Sequence, residues 1–271
     1  MPTAKVHSAK RPLALVTGAS AGIGESLAHC FAAGGHDLLL VARNADKLRA
    51  LARTLQDQHQ ILAAALPADL TQPQAVAGLL AGLRRRRRLP DVLVNCAGVL
   101  QQQAFAGMAP AAHQAIIDLN ITALTSLLAH LLPGMLERGS GRILNVASIA
   151  AFQPIPMLAT YAASKAYVLS LTESLSEELR GSGVTVTALC PGITATHMLS
   201  AAAAANQQLG RLPAFMVGRA DAVARQGFEA CMRGDVICVP GAINRAATLV
   251  SRSAPKWLLR RVGGMLARTA L

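Results

Sequence analysis

Tyr161 and Lys165 stand four residues apart in Tyr161-Ala162-Ala163-Ser164-Lys165, a spacing that puts both side chains on one face of a helix. A phenol held over a carbonyl oxygen can donate a proton, and its phenolate is the matching base. At its ordinary pKa of about 10, tyrosine is a poor base near neutral pH. A neighbouring ammonium stabilises the phenolate and lowers that value. Alone the pair is unspecific, because exposed helix faces often carry such a pair. The second group of interest is the turn Thr17-Gly18-Ala19-Ser20-Ala21-Gly22-Ile23-Gly24. Glycine is needed where backbone turns tightly or approaches a phosphate without a Cβ in the way. Amides at the start of a following helix then face a pyrophosphate, helped by the helix dipole.

These residues need elements to position them. Short apolar runs at 13–16, 37–41, 61–66, 91–95, 142–147, 184–190 and 236–239 read as seven strands. Helical patterns lie between them: from the glycine turn to about Ala33, 44–58 with Asn44 as N-cap, and a segment capped by Thr71 that reaches the arginine run 84–88. Two long helices follow at 111–135 and 161–179. Alternation of this kind predicts an α/β fold, a doubly wound parallel sheet with helices on both faces. With no internal repeat and no Pro/Gly/Ser-rich linker, one domain over 1–271 is expected, with its core at about 12–242.

Composition narrows the function classes. Hydrophobic residues make up 52% and aromatics 3%, so the core is built from aliphatic side chains, as suits helices on a parallel sheet. No uninterrupted apolar run reaches the roughly 18 residues of a spanning helix. The basic segment 1–11 leads into a strand rather than an apolar signal region, and the expectation is a soluble, cytoplasmic protein. Cys30, Cys96, Cys190, Cys231 and Cys238 are scattered and odd in number, which argues against a disulfide framework or a structural zinc. No His/Cys/Asp cluster suggests a metal. The net charge of +12 lacks the interleaved aromatics of a nucleic-acid surface, and no nucleic-acid partner is expected. Much of the excess sits in the run 84–88 and the tail 245–268. The run complements a helix C-terminal dipole while staying solvated; a docking site for an acidic partner is the other reading.

The glycine spacing G-x-x-x-G-x-G, opened by Thr17, resembles that of the short-chain dehydrogenase/reductase family, and further segments match it. Asp69-Leu70 is similar to that family's adenine-contacting pair. Asn95-Cys96-Ala97-Gly98 is similar to its N-[NC]-A-G segment, with Cys96 in place of the more frequent second asparagine. Pro191-Gly192 and Thr196 resemble its turn and threonine beside the nicotinamide. The resemblance covers roughly 13–196 and the segment at 236–241. It implies a Rossmann-like fold that binds a nicotinamide dinucleotide through Gly18, Ser20, Ala21, Gly22, Ile23 and Gly24, with Asp69, Leu70, Asn95, Ala97, Gly98, Pro191, Gly192 and Thr196. It also implies a catalytic group. Tyr161 would be general acid in reduction and base in oxidation, and Lys165 would tune it and hold the nicotinamide ribose. Ser148 would orient the substrate oxygen, and Asn120 would hold a water for proton relay to the lysine. Dimers or tetramers through the two long helices are implied as well.

Cofactor choice is readable separately. An acid at the tip of the second strand would bind the ribose 2′-hydroxyl and select NAD. This strand ends Leu40-Val41-Ala42-Arg43-Asn44, and Asp37 lies at its start. Arg43 is placed to meet a 2′-phosphate, which favours NADP(H) over NAD(H); a merely solvated arginine is the alternative.

By the same resemblance the segment at about 193–218 is the substrate lid. It is apolar, with His197, Met198, Leu199, an alanine run, Arg211 and then Leu212, Pro213, Ala214, Phe215 and Met216. His197 is either a substrate contact or a structural residue. Phe152, Pro154, Ile155 and Met157 would line the other wall. An apolar carbonyl or alcohol substrate is expected, such as a ketone or a 3-oxoacyl thioester. The tail at 244–271 carries Arg245, Arg252, Lys256, Arg260, Arg261 and Arg268 and no acid, with Trp257, Leu258, Leu259 and Val262 among them. It reads as a basic amphipathic helix that lies on an anionic membrane, docks an acidic carrier, or packs on its own domain. The enzyme reading stands against a non-catalytic NADP-binding sensor or scaffold of the same fold, which would be expected to lose the tyrosine or the lysine.

Overall fold

The seven apolar runs pair side by side, all in parallel, in the spatial order Ala63–Pro67, Asp37–Ala42, Leu13–Thr17, Val92–Asn95, Gly141–Val146, Val184–Leu189, Ile237–Cys238. The computed structural model describes residues 11–86, 88–195, 217–253, 257 and 261. The strands are β1 (Leu13–Thr17), β2 (Asp37–Ala42), β3 (Ala63–Pro67), β4 (Val92–Asn95), β5 (Gly141–Val146), β6 (Val184–Leu189) and β9 (Ile237–Cys238). A parallel strand covered on both faces has no polar side to show, so β1 reads Leu-Ala-Leu-Val-Thr and is buried throughout. β1 pairs with β2 from Leu13 opposite Asp37 to Thr17 opposite Val41, which brings the carboxyl ends of the strands to one edge. A second, two-stranded pair, β7 (Thr194–Ala195) with β8 (Gly218–Arg219), draws together the two ends of the segment expected to be the lid.

The helices are α1 (Gly22–Ala33), α2 (Ala45–His59), α3 (Ala75–Arg85), α4 (Pro110–Ile117), α5 (Leu124–Glu137), α6 (Ala159–Glu178), α7 (Ala220–Arg233) and α8 (Ala242–Ser253). They cover both faces of the sheet. One core cluster joins Leu15, Leu93 and Ile143 to Leu127, Leu131 and Val168 of α5 and α6. The other joins Val16, Leu40, Val94 and Leu144 to Leu27 and Phe31 of α1, Leu48 of α2 and Ala224 of α7. Asn44 caps α2 as expected, its side chain accepting from the Lys47 amide at 2.9 Å.

Three local expectations change. Thr71 does not cap α3, which begins at Ala75 after Gln74; its hydroxyl instead donates to Asp69 at 2.8 Å and closes the turn after β3. The long helix expected at 111–135 is one 28-residue helix, Pro110–Glu137, widened by a π turn at Asp118–Ala123. Its most apolar stretch has a mean hydropathy of 1.6, long and apolar enough to cross a membrane by length and composition, yet it supplies Leu124, Leu127, Leu128, Leu131 and Met135 to the core. The arginine run is not wholly solvated either. Arg88 donates to Asp37 at 2.6 Å, with both side chains largely buried, and so ties the chain before β4 to the start of β2. All five cysteines are free thiols, and among the described residues no His/Cys/Asp/Glu cluster could hold a metal.

Candidate active site

The glycine turn leaves β1 and enters α1 at the carboxyl edge of the sheet, where helix dipoles and strand ends converge in doubly wound folds. Gly18 and Gly22 adopt φ of +68° and +60°, which L side chains rarely adopt. A Cβ on Gly18 would stand 2.9 Å from Cα of Ala97, so the glycine serves the approach of two chain segments as well as the turn. Thr17 stitches the same junction. Its hydroxyl donates to the Val94 carbonyl at 3.2 Å and accepts from the amides of Cys96 and Ala97, each at 3.0 Å. A Cβ on Gly24 would meet the Gly18 carbonyl at 2.3 Å, which requires glycine where α1 packs on the turn. Ala21, at the N-cap of α1, offers no side-chain cap, so the first amides of the helix have no side-chain partner from that residue. Ser20 and Ile23 are part-buried in the same turn and Ala21 is exposed. A pyrophosphate fits such a cradle.

Arg43 is exposed immediately past β2, and no acid occupies the strand tip; Asp37 is engaged at the opposite end by Arg88. Asp69 and Leu70 follow β3, where one Asp69 oxygen accepts from both the amide and the hydroxyl of Thr71 and Leu70 is buried. Asn95 ends β4 and donates across the sheet to Asn145 Oδ1 at 2.9 Å. Asn145 in turn donates to Thr172 of α6 at 3.0 Å, a buried chain that ties two central strands to the helix bearing Tyr161. Pro191 and Gly192 follow β6. A Cβ on Gly192 would lie 2.5 Å from Asn244 of α8, so this turn is fitted to that helix. Thr196, His197, Met198, Leu199, the alanine run and Arg211 to Met216 lie outside the described residues.

The four residues expected to share the chemistry come from three places, α6, the turn at 118–123 and the end of β5: Asn120 and Lys165 meet at Gly98, and Tyr161 meets Ser148. Tyr161 and Lys165 sit one turn apart on α6, both buried, with the Lys165 ammonium 5.8 Å from the tyrosine ring centroid. Lys165 donates to the Val146 carbonyl at 2.9 Å. Two of its three N–H donors have no protein partner among the described residues, and no carboxylate there is among the groups that shift its titration. A buried cation with open donors suits a ribose diol. Asn120 lies in the π turn, where a widened helix re-aims its side chain. Its amide group accepts from the Val99 amide and donates to the Val99 carbonyl and to Ser164 Oγ. A Cβ on Gly98 would be 3.3 Å from Asn120 Oδ1 and 3.4 Å from Lys165 Nζ, so glycine lets this segment run against both. Ser148 stands two residues past β5 and caps the short helical turn Ile149–Phe152, its Oγ accepting from the Ala150 amide at 3.1 Å.

Burial sets the titration of this group. Burial pushes the Tyr161 phenol above its usual range, while a hydrogen bond with Ser148 pulls it back. Among the protein's own groups burial outweighs the lysine; the lowering expected from the sequence counted the positive charge of an oxidised nicotinamide as well. Lys165 itself is pushed down to about 8, because burial disfavours its charged form. Leu100, Ile155 and Leu158 pack around Tyr161 and Ala150, leaving the phenol in apolar company. Of the other wall residues, Phe152 packs toward the main core, Pro154 is exposed, and Met157 holds a left-handed φ of +69° while its carbonyl accepts from Gln103.

Residues 12–207 match the family model described as short chain dehydrogenase. The chain belongs to the short-chain dehydrogenase family. As a member it is an NAD(P)-dependent oxidoreductase that interconverts a carbonyl and an alcohol. An uncharacterized oxidoreductase of Staphylococcus saprophyticus is 36% identical over 186 residues, covering 69% of this chain and 80% of the relative. A short-chain dehydrogenase from Sphingobium yanoikuyae, solved in complex with NADPH, superposes with a TM-score of 0.78 at 34% identity, covering 90% of this chain and 96% of the other. A bulky-bulky ketone specific alcohol dehydrogenase from Comamonas testosteroni superposes with a TM-score of 0.76 at 28% identity over 92% and 96% of the two chains. This short-chain dehydrogenase also uses groups that sequence reading passed over. Ser164 was visible between Tyr161 and Lys165, and Thr17 opened the glycine motif. Asn145 and Thr172 left a signal as polar residues on otherwise buried faces. The Val146 carbonyl left none.

Proposed function

We propose that the protein is an NADPH-dependent reductase of apolar ketones or 3-oxoacyl-type carbonyls, with Tyr161, Lys165, Ser148 and Asn120 as its working group. The observation that carries this reading is the meeting of the Tyr161 phenol, the Ser148 hydroxyl and a buried, partly unpaired Lys165 ammonium beside the glycine-lined cofactor cradle.

When bound, the nicotinamide cofactor supplies the hydride or takes it back. Tyr161, raised by burial, keeps its proton at neutral pH and holds it for the carbonyl oxygen that gains charge. Ser148 Oγ donates to the same oxygen and fixes its position against the phenol. Lys165, with a pKa of about 8, is mostly charged near pH 7; its ammonium stabilises the phenolate left on Tyr161 and holds the ribose. Asn120 binds both main-chain groups of Val99 and so fixes the Gly98 segment under Lys165, where it supports the proton relay.

Preference for NADP(H) rests on exposed Arg43 at the tip of an acid-free β2, and the Sphingobium relative was solved with NADPH. The apolar substrate class rests on Leu100, Ile155 and Leu158 around Tyr161, on the apolar sequence at 196–216, and on the Comamonas relative, a bulky-ketone enzyme. Homo-oligomers through the helices at 110–137 and 159–178, and a cytoplasmic location, remain part of this reading. The test is NADPH consumption across aliphatic and aromatic ketones, 3-oxoacyl thioesters and steroids, with NADH in parallel. Turnover confined to small polar aldoses, or an equal rate with NADH, would overturn it.

A further inference from the structure

Helix α8 (Ala242–Ser253) is amphipathic the wrong way round. A helix packed on a soluble domain ordinarily turns its apolar stripe inward. Here Asn244, Thr248 and Ser251, at i, i+4 and i+7, face the protein. Asn244 Nδ2 donates to the Pro240 carbonyl at 2.8 Å and its side chain fills the space beside Gly192. Thr248 is buried, and Ser251 Oγ hydrogen-bonds Gln153 Oε1 at 3.0 Å, which seats the helix against the turn that follows Ser148. Ile243, Leu249 and Val250 point outward with 60%, 68% and 63% of their surfaces exposed, and Trp257 follows at 55%. On a helical wheel the three aliphatic residues and Ala246 fall on the side away from the polar contacts.

We propose that this outward face is a docking surface for an anionic lipid bilayer. The sequence from 244 to 271 carries Arg245, Arg252, Lys256, Arg260, Arg261 and Arg268 and no acidic residue. A second copy of the chain would bring the same cations together, and like charges without an intervening acid disfavour that contact. Anionic headgroups complement them, aliphatic side chains enter the acyl boundary, and a tryptophan sits at the interface between. The inference is independent of which substrate the enzyme reduces.

Trp257 is the single tryptophan in the chain, so its emission reports docking directly. Full-length protein without cofactor would be mixed with vesicles of phosphatidylcholine alone and of phosphatidylcholine with phosphatidylglycerol. The expected result is a blue shift and sedimentation with the anionic vesicles only, weakened as salt is raised. Leu249→Asp/Val250→Asp, both at exposed positions, lowers partitioning about tenfold or more while NADPH binding is unchanged. Equal binding to neutral vesicles, wild-type binding by the double variant, or no binding to either vesicle overturns the proposal. If vesicles are not bound and the double variant instead changes the oligomeric state in ultracentrifugation, the face belongs to a second copy.

Discussion

Lys165 Nζ donates to the Val146 carbonyl at 2.9 Å, which anchors the working lysine of α6 to the last residue of β5, two residues before Ser148. The tie fixes the helix that carries Tyr161 relative to the strand end that presents Ser148. It also holds the ammonium in a buried place, and that burial has a measurable consequence.

Lys165 titrates at about 8 in the native protein, against 10.5 in an exposed chain. Between those values the unfolded state holds a proton that the native state has released, so this group's contribution to stability rises with pH across the window. The thiols of Cys96, Cys190 and Cys231, pushed up to about 12, act in the opposite direction, because the unfolded chain loses their protons first. Comparing wild type with Lys165→Met cancels Cys231; Cys96 and Cys190 interact with the ammonium, which lowers them in wild type, so losing it adds to the same trend. In urea unfolding at several pH values, the stability of wild type relative to the variant should rise from pH 8 to 10.5. A flat difference would show that the lysine is not desolvated.

Gly18→Ala tests the junction of the β1 turn with the 95–98 segment. At φ +68° with Ala97 main-chain atoms 2.9 Å from the new Cβ, neither the turn nor its neighbour has room to yield. A loss of at least about 2 kcal/mol is expected from the backbone conformation and the clash together. NADPH affinity, read from cofactor fluorescence, should fall with it. Unchanged unfolding and unchanged affinity would mean the segment moves freely.

Arg43→Asp removes the cation at the tip of β2 and installs the acid that the strand lacks. NADPH affinity should drop on the order of tenfold to a hundredfold, the worth of a charge-assisted phosphate contact, while NADH affinity holds or rises. Titration of both cofactors into wild type and variant gives the answer. Equal losses for the two cofactors would mean Arg43 does not discriminate between them.

Much of this was legible because burial on both faces leaves parallel strands as plain apolar runs, and seven of them were found within a few residues of their ends. Asn44 was legible as a cap because the chemistry is local. What was not legible depended on partners distant in sequence. Arg88 reads as one of five arginines until β2 brings Asp37 to it. The π turn that aims Asn120 leaves no mark in a 3.6-residue pattern, since Asp118 and Asn120 merely interrupt an apolar helix. Gly18 could be read as a turn, but its closeness to Ala97 belongs to the packing of β1 beside β4. Tyr161 and Lys165 were legible as a pair; that burial, rather than their mutual charge, governs the phenol required the folded surroundings.

The account turns on Tyr161 as the proton donor, and the most direct measurement is the hydride-transfer rate with a reducible ketone in a single turnover of bound NADPH, wild type against Tyr161→Phe. Phenylalanine keeps the ring in its apolar setting and removes only the hydroxyl. The rate should fall by about 10²–10⁴, the usual worth of positioned proton transfer, while NADPH binding stays within about twofold. A variant that reduces the ketone at the wild-type rate would contradict the assignment.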